Sequence, residues 1–356
     1  MENELIAITP SEIYKPSQEK QTRYTNSFTE QDMAKASIGA YLSDWEDFCM
    51  WCNQNQRQFM PANPCDVADY LEDRAKNSWM GFSGKGRLLM EKTPLKWNSL
   101  DRRLTAIAKI HQYNRSSFSR KDPAIKRTLG GIKRVLSKEQ THQIVENRKS
   151  PVLSDDIQKM VNTLGDKLSD KRDRALLLVG FSGALRRSEL AGIQKEHLQL
   201  VKEGFVLLLP WSKTGMREVN LPYGSNFETC TVRALQEWIN SAKIESGPVF
   251  RAINRHGQIQ PNSISDKAVA LIINRNSHIR ETVKNAEAKR AHDSTVSIPN
   301  FAGHSLRAGF VTQAYLNGAS EASIMSQTGH RKSDTLKKYI RETDKWKNNA
   351  ATKLGL

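Results

Sequence analysis

Apolar positions recur at helical spacing from Ser27 to about Gln143, so the first part of the chain predicts helices throughout. Thr29-Glu30-Gln31-Asp32 can cap the first of them, which runs through Trp51. Pro61-Ala62-Asn63-Pro64 reads as a turn, with Asp66 placed to open a second helix around Val67 to Ala75. A Gly-rich loop (Gly81, Gly84, Gly86) follows, then helices from Ser99 to about Tyr113 and from Pro123 to about Leu136. Periodicity fades between Glu139 and Ser150, and Pro151 opens a second unit. There Leu153-Ser154-Asp155-Asp156-Ile157 caps a helix, and the mostly apolar run Arg172 to Gly183 predicts a buried one. Gly204 to Pro210 reads as a strand and Arg217 to Leu221 as its partner, joined by a Lys213-Thr214-Gly215 turn. Helices are expected again at Thr231 to Ala242 and Ser263 to Arg275, and three short ones near 305–317, 320–328 and 333–341. The charged stretch from about Glu281 to Pro299 reads as a loop or an extra helix.

The domain organisation that follows is a polar arm over 1–26, a helical unit over 27–142, a linker over 143–150, a second unit over 151–343 and a tail over 344–356. Charge sharpens this picture. Fifty-four Lys and Arg stand against 38 Asp and Glu, a net charge of +16 that attracts polyanions. Arg102 to Lys149 holds 13 Lys or Arg and only Asp122, Glu139 and Glu146 as acids. A solvated helix face usually mixes signs, so this run reads better as a surface for backbone phosphates. Lys85 and Arg87 in the Gly-rich loop, with Arg102, Arg103, Lys109, Arg115, Lys126, Arg127, Lys133 and Arg134, are the candidate DNA contacts. No apolar run approaches the roughly 20 residues needed to cross a bilayer. The N-terminus also lacks the basic start and apolar stretch of a signal peptide, so a cytoplasmic protein is expected. Cys49 and Cys52 form a lone CxxC without a second pair at zinc spacing; thiols buried on an amphipathic helix are expected there, and no metal site.

The candidate chemistry lies in the second unit. Gly183-Ala184-Leu185-Arg186-Arg187-Ser188-Glu189-Leu190, Lys213, His304-Ser305-Leu306-Arg307, Gly329-His330 and Lys338-Tyr339 follow one another in order. Guanidiniums such as Arg186 and Arg307 suit a five-coordinate phosphorus, because they fork onto two oxygens and keep their charge. Lys213 at a hairpin tip can hand a proton to a departing 5′ oxygen. His304 and His330, each in a Gly-His pair expected before a helix, can donate to phosphate oxygens or take a proton. Tyr339 sits among Lys337, Lys338 and Arg341, cations that favour its phenolate as a nucleophile.

This ordered set resembles the tyrosine recombinases, or phage integrase family, from about residue 27 to the end. Leu185 to Leu190 is similar to the family's first arginine box, with Glu189 as the bracing acid. Lys213 matches its hairpin lysine, His304 to Arg307 its H-x-x-R, and Tyr339 its nucleophile. Tyr41 to Leu71 and Met325 to Arg341 are similar in pattern to the Cre-like branch, whose members carry tryptophan where this chain has His330. The resemblance implies a mainly α fold with a small antiparallel β-sheet, forming a two-domain C-shaped DNA clamp of a helical core-binding domain and a catalytic domain. It implies cleavage and rejoining of duplex DNA through a 3′-phosphotyrosine and a Holliday junction, without metal, ATP or other cofactor. The implied partners are a specific, palindromic DNA site and three further copies in a homotetramer, with the 344–356 tail docking on a neighbour; a polar tail with no docking role is the alternative. A bacterial, phage or plasmid origin fits, and an accessory DNA-bending protein is left open. Two rival readings remain: a type IB topoisomerase, which shares the chemistry, and a DNA-binding architectural or regulatory protein that has lost catalysis.

Overall fold

The computed structural model describes residues 35–82, 89–138, 150–210, 215–277, 301, 303–331, 333 and 336. The chain forms two compact units that divide between Asn147 and Arg148. Both are mainly helical, and each carries small antiparallel sheets. No helix among the described residues is long and apolar enough to cross a membrane.

In the first unit, α1 (Lys35–Gln54), α2 (Pro64–Lys76), α3 (Trp97–Tyr113) and α4 (Pro123–Lys138) pack around Phe48, Cys52, Val67, Leu71, Leu100, Leu104, Ile107 and Ile125, all buried. Helix α2 starts earlier than Asp66: Asn63 is the cap, its side chain accepting from Cys65 N at 2.9 Å, and Pro64 takes the first position, where a missing N–H costs nothing. The unit is not helical throughout. Strands β1 (Trp79–Phe82) and β2 (Leu89–Lys92) form an antiparallel hairpin with Gly81 inside β1, so the expected Gly-rich loop is partly strand. Cys49 and Cys52 are buried on α1, and burial pushes both thiols up, the chemistry of inert core cysteines.

A buried carboxylate organises this unit. Asp47 accepts from Tyr70 Oη at 2.7 Å, Arg74 Nε at 3.0 Å and Trp79 Nε1 at 2.7 Å, and from the guanidinium of Arg103. Arg103 is therefore withdrawn from the expected DNA-contact set: it is buried, because a desolvated carboxylate needs its charge. Arg102 forks onto buried Asp44 at 2.7 and 3.0 Å while its side chain stays half exposed.

In the second unit, α6 (Leu168–Ser182) is buried on nearly every side, as its apolar run predicts, and packs against α5 (Ser154–Asn162), α8 (Thr231–Ser241) and α9 (Ser305–Leu316). The short α7 (Arg187–Ala191) follows it. A three-stranded antiparallel sheet runs in the order β3 (Leu198–Val201), β4 (Gly204–Leu209), β5 (Arg217–Pro222), one strand more than the sequence pattern predicts. A second hairpin, β6 (Arg251–Ile253) with β7 (Ile259–Ser263), was also not expected, and Ser263 ends β7 instead of opening a helix; helical residues begin at 266. Helix α10 (Glu321–Thr328) is capped by Ser320 and closes on Gly329, whose φ of 68° is the left-handed turn that glycine adopts freely. The arm over 1–26, the cap at Thr29–Asp32, the stretch 281–299, most of the expected 333–341 helix and the tail 344–356 lie outside the described residues.

Candidate active site

The turn between α6 and α7 carries the first pair of site residues. Gly183 keeps a right-handed backbone, and the reversal falls one residue later, on Ala184, at φ 49°. Arg186 then caps α7, and Glu189 stands at the third helical position. Glu189 Oε2 accepts the Arg186 backbone N–H at 2.9 Å, the acidic half of a capping box, and Oε1 accepts from the Arg186 guanidinium. A second guanidinium, Arg217 at the start of β5, reaches Glu189 Oε2 at 2.8 Å. Burial pushes the Glu189 carboxyl up, but the Arg186 N–H, the Arg217 charge and the hydrogen bonds from both guanidiniums outweigh it, and its pKa lies below the ordinary carboxylate value.

Arg307, in the first turn of α9, is only 1% exposed. Its Nη1 donates to Ala184 O at 2.7 Å and its Nη2 to Thr328 O at 2.6 Å, so one side chain ties together the α6–α7 turn, α9 and the end of α10. The unusual backbone of Ala184 thus belongs to the site, since its carbonyl meets this charge. His304 caps α9. Partial burial of its ring, then the charges on Arg307, Arg186 and Arg187, hold its pKa below the usual histidine value.

His330 follows the left-handed Gly329 at the end of α10, ahead of the helical residues at 333 and 336. Its Nε2 lies 3.2 Å from Arg307 Nη2, and its Nδ1 lies 2.9 Å from Thr328 Oγ1. A guanidinium can only donate, so Nε2 accepts. The Thr328 hydroxyl donates to Ile324 O at 2.7 Å, so its oxygen accepts from Nδ1–H. The ring is therefore the neutral Nδ1–H tautomer. Burial first, then Arg307, Arg186, His304 and Arg217, lower its pKa to about 4.

Arg186, Glu189, Arg307 and His330 thus come together with Arg217 and Thr328, which sequence reasoning missed. An arginine opening a strand has no local signature, and nothing along the chain shows that it reaches a glutamate 28 positions earlier. Arg187, the neighbour of Arg186, is exposed and lies 3.9 Å from Asp266. Lys213 and Tyr339 lie outside the described residues, as do Lys85 and Arg87. Of the other candidate DNA contacts, Arg115, Lys126, Arg127, Lys133 and Arg134 are exposed and Lys109 is half-buried. Among the described residues, the guanidiniums of Arg186 and Arg217 share the Glu189 carboxylate, and Arg307 adds a third positive charge beside two imidazoles whose pKa values are lowered, a net positive cluster suited to an anion.

The chain is similar to known proteins along most of its length. The Phage integrase family model matches residues 151–345, more than half of the chain. An integrase/recombinase described as a xerD homolog of Selenomonas ruminantium is 31% identical over 333 residues, covering 91% of this chain and 87% of that protein. The recombinase Cre of Escherichia phage P1 is 21% identical, over 85% of this chain and 83% of its own. Among solved structures, a XerH site-specific recombinase in a post-cleavage complex with its palindromic difH substrate superposes with a TM-score of 0.57 at 13% identity, covering 91% of this chain and 81% of that one. The Tn1549 transposon integrase in complex with transposon right-end DNA gives 0.56 at 13%, covering 93% and 94%. The chain belongs to the phage integrase family, and it is a tyrosine site-specific recombinase.

Proposed function

We propose that this protein binds a specific palindromic site in double-stranded DNA as a homotetramer and exchanges strands through a 3′-phosphotyrosine intermediate. The phenol of Tyr339 gives up its proton to His304 as its oxygen attacks the scissile phosphorus, and the bond from phosphorus to the 5′ oxygen breaks. Lys213 supplies the proton that makes this oxygen a hydroxyl. The bond energy is retained in the phosphotyrosine, so a 5′-hydroxyl from the partner duplex reverses the step without ATP or metal, and two rounds pass through a Holliday junction. Arg186 and Arg307 neutralise the non-bridging oxygens as charge builds on them. In the first unit, the exposed Lys126, Arg127, Lys133 and Arg134 on α4 meet backbone phosphates.

The observation that carries this reading is the arrangement around Glu189 and Arg307: cations drawn from α7, β5 and α9 converge where one carboxylate cannot neutralise them. In the test, the full chain is mixed with a pool of duplexes of randomised sequence, denatured, and the DNA left covalently attached is sequenced. Wild type is expected to capture a palindromic site and leave a free 5′-hydroxyl end, whereas Tyr339→Phe binds DNA and captures none. Covalent DNA retained by Tyr339→Phe would refute the nucleophile. Relaxation of supercoiled plasmid without regard to sequence would favour a topoisomerase, and binding without capture an architectural protein.

A further inference from the structure

Arg217 has no place in the scheme above, yet it contacts the site at two separate elements. It opens β5, four positions after Lys213 in the sequence. Its side chain is 9% exposed. One amino group donates to Glu189 Oε2 at 2.8 Å, and the other donates to the carbonyl of Gln327 near the end of α10, three residues before His330. Gln327 in turn donates its side-chain amide to Ser182 O at 2.9 Å and Asn220 O at 3.1 Å. The end of α6, the start of α7, β5 and the end of α10 therefore meet through a single guanidinium and the residue it holds.

The charge arithmetic at Glu189 gives this contact a consequence for Arg186. A carboxylate alone with an arginine takes it in a two-pronged pair, using both of the parallel N–H groups that a phosphate would need. Here Oε2 is already occupied by Arg217 and by the Arg186 backbone N–H, and Arg186 reaches the carboxylate through Nη1 on Oε1. Arg217 thereby keeps Glu189 from engaging the whole Arg186 fork. Its own Nε is buried and finds no acceptor among the described residues. An apolar side chain of similar size would leave the buried Glu189 with Arg186 as its remaining charged partner among the described residues, so Arg217 also contributes to stability.

We propose that Arg217 is a positioning residue for strand cleavage, occupying one oxygen of Glu189 so that Arg186 presents its fork to the scissile phosphate, and pinning the end of α10 beside it. This rests on the proposed function above. The probe is the duplex that wild-type protein captures from the randomised pool. Three quantities are compared: duplex affinity, urea midpoint, and the single-turnover rate of covalent complex formation at saturating duplex. Arg217→Met fills the volume without charge, and Arg217→Lys keeps the charge but reaches one partner at a time. For Arg217→Met the rate is expected to fall about 100-fold, the usual effect of misplacing a reacting group, with affinity nearly unchanged; the urea midpoint falls because Glu189 loses a charged partner, so rates are compared under conditions where the variant is folded. Arg217→Lys should fall in between and serves as the test variant if Arg217→Met does not fold. Added to Glu189→Gln, either substitution should cost little more, because Arg217 acts through that carboxylate. A wild-type rate in the folded variants, an affinity that falls in step with the rate, or full additivity with Glu189→Gln would each overturn the assignment. If wild type captures no duplex at all, the proposed function fails and this inference falls with it. If capture occurs and is lost in Tyr339→Phe, the Arg217 variants judge Arg217 alone.

Discussion

At His330 both ring nitrogens have fixed partners, and this decides its chemistry at the scale of a single residue. Nε2 carries no proton, because it accepts from Arg307, so the expectation that His330 donates to a phosphate oxygen does not describe the DNA-free protein. The ring instead holds an Arg307 N–H that a phosphate oxygen could take over. A pKa of about 4 against the ordinary 6.5 makes a testable statement about stability. As pH falls below about 6.5 the unfolded chain takes up the proton first, so stability declines from there down to about 4 and then levels off. His304, lowered in the same direction, adds to the decline, and the depressed Glu189 contributes stability that begins to be lost as pH falls below about 4.5. Urea midpoints measured from pH 7 to pH 4 should fall less steeply for His330→Gln than for wild type. Equal slopes would mean that His330 is not held neutral.

At the scale of elements, the site depends on how closely α9 approaches the chain before α5. The Val152 N–H donates to Ser305 O at 3.1 Å, and a Cβ built on Gly309 would lie 1.7 Å from Val152 O. Only a glycine permits that approach, and the helix it permits carries His304 and Arg307 at its start. Gly309→Ala should therefore cost about 2 kcal/mol in urea unfolding, the range for overpacking against atoms that cannot rotate away. It should also slow covalent complex formation, since Arg307 moves with the helix. Gly180→Ala is the control: its Cβ would meet Leu306 Cδ1 at 2.8 Å and Leu190 Cδ2 at 2.9 Å, side-chain ends that can turn, so the loss should be smaller. Long periodic elements such as α6 and α8 are legible in the sequence because their burial repeats over several turns. The hairpins β1–β2 and β6–β7 and the strand β3 are not, since strands of three to five residues are too short to display an alternation.

For the whole molecule, a core of its own in each unit and a net charge of +16 are the governing facts. Duplex affinity should fall steeply as salt rises, because each phosphate neutralised releases a counterion. A logarithmic plot of affinity against salt with a slope near zero would oppose the basic surface on α4. Composition alone overstates that surface, as Arg103 shows: a lysine-and-arginine-rich stretch counts its charges without revealing which are consumed inside the fold by Asp44 and Asp47.

The order and spacing of the arginine box, the H-x-x-R and the Gly-His were enough to indicate the family, because those residues are bound to local backbone features: a helix start at Arg186, a helix cap at His304, a left-handed glycine before His330. Contacts between distant segments were beyond its reach. That Arg217 shares Glu189 with Arg186, that Thr328 sets the tautomer of His330, and that the Ala184 carbonyl receives Arg307 are consequences of packing β5, α9 and α10 against the end of α6. A linear pattern records which donors and acceptors exist, and only their convergence in space decides which of them are paired.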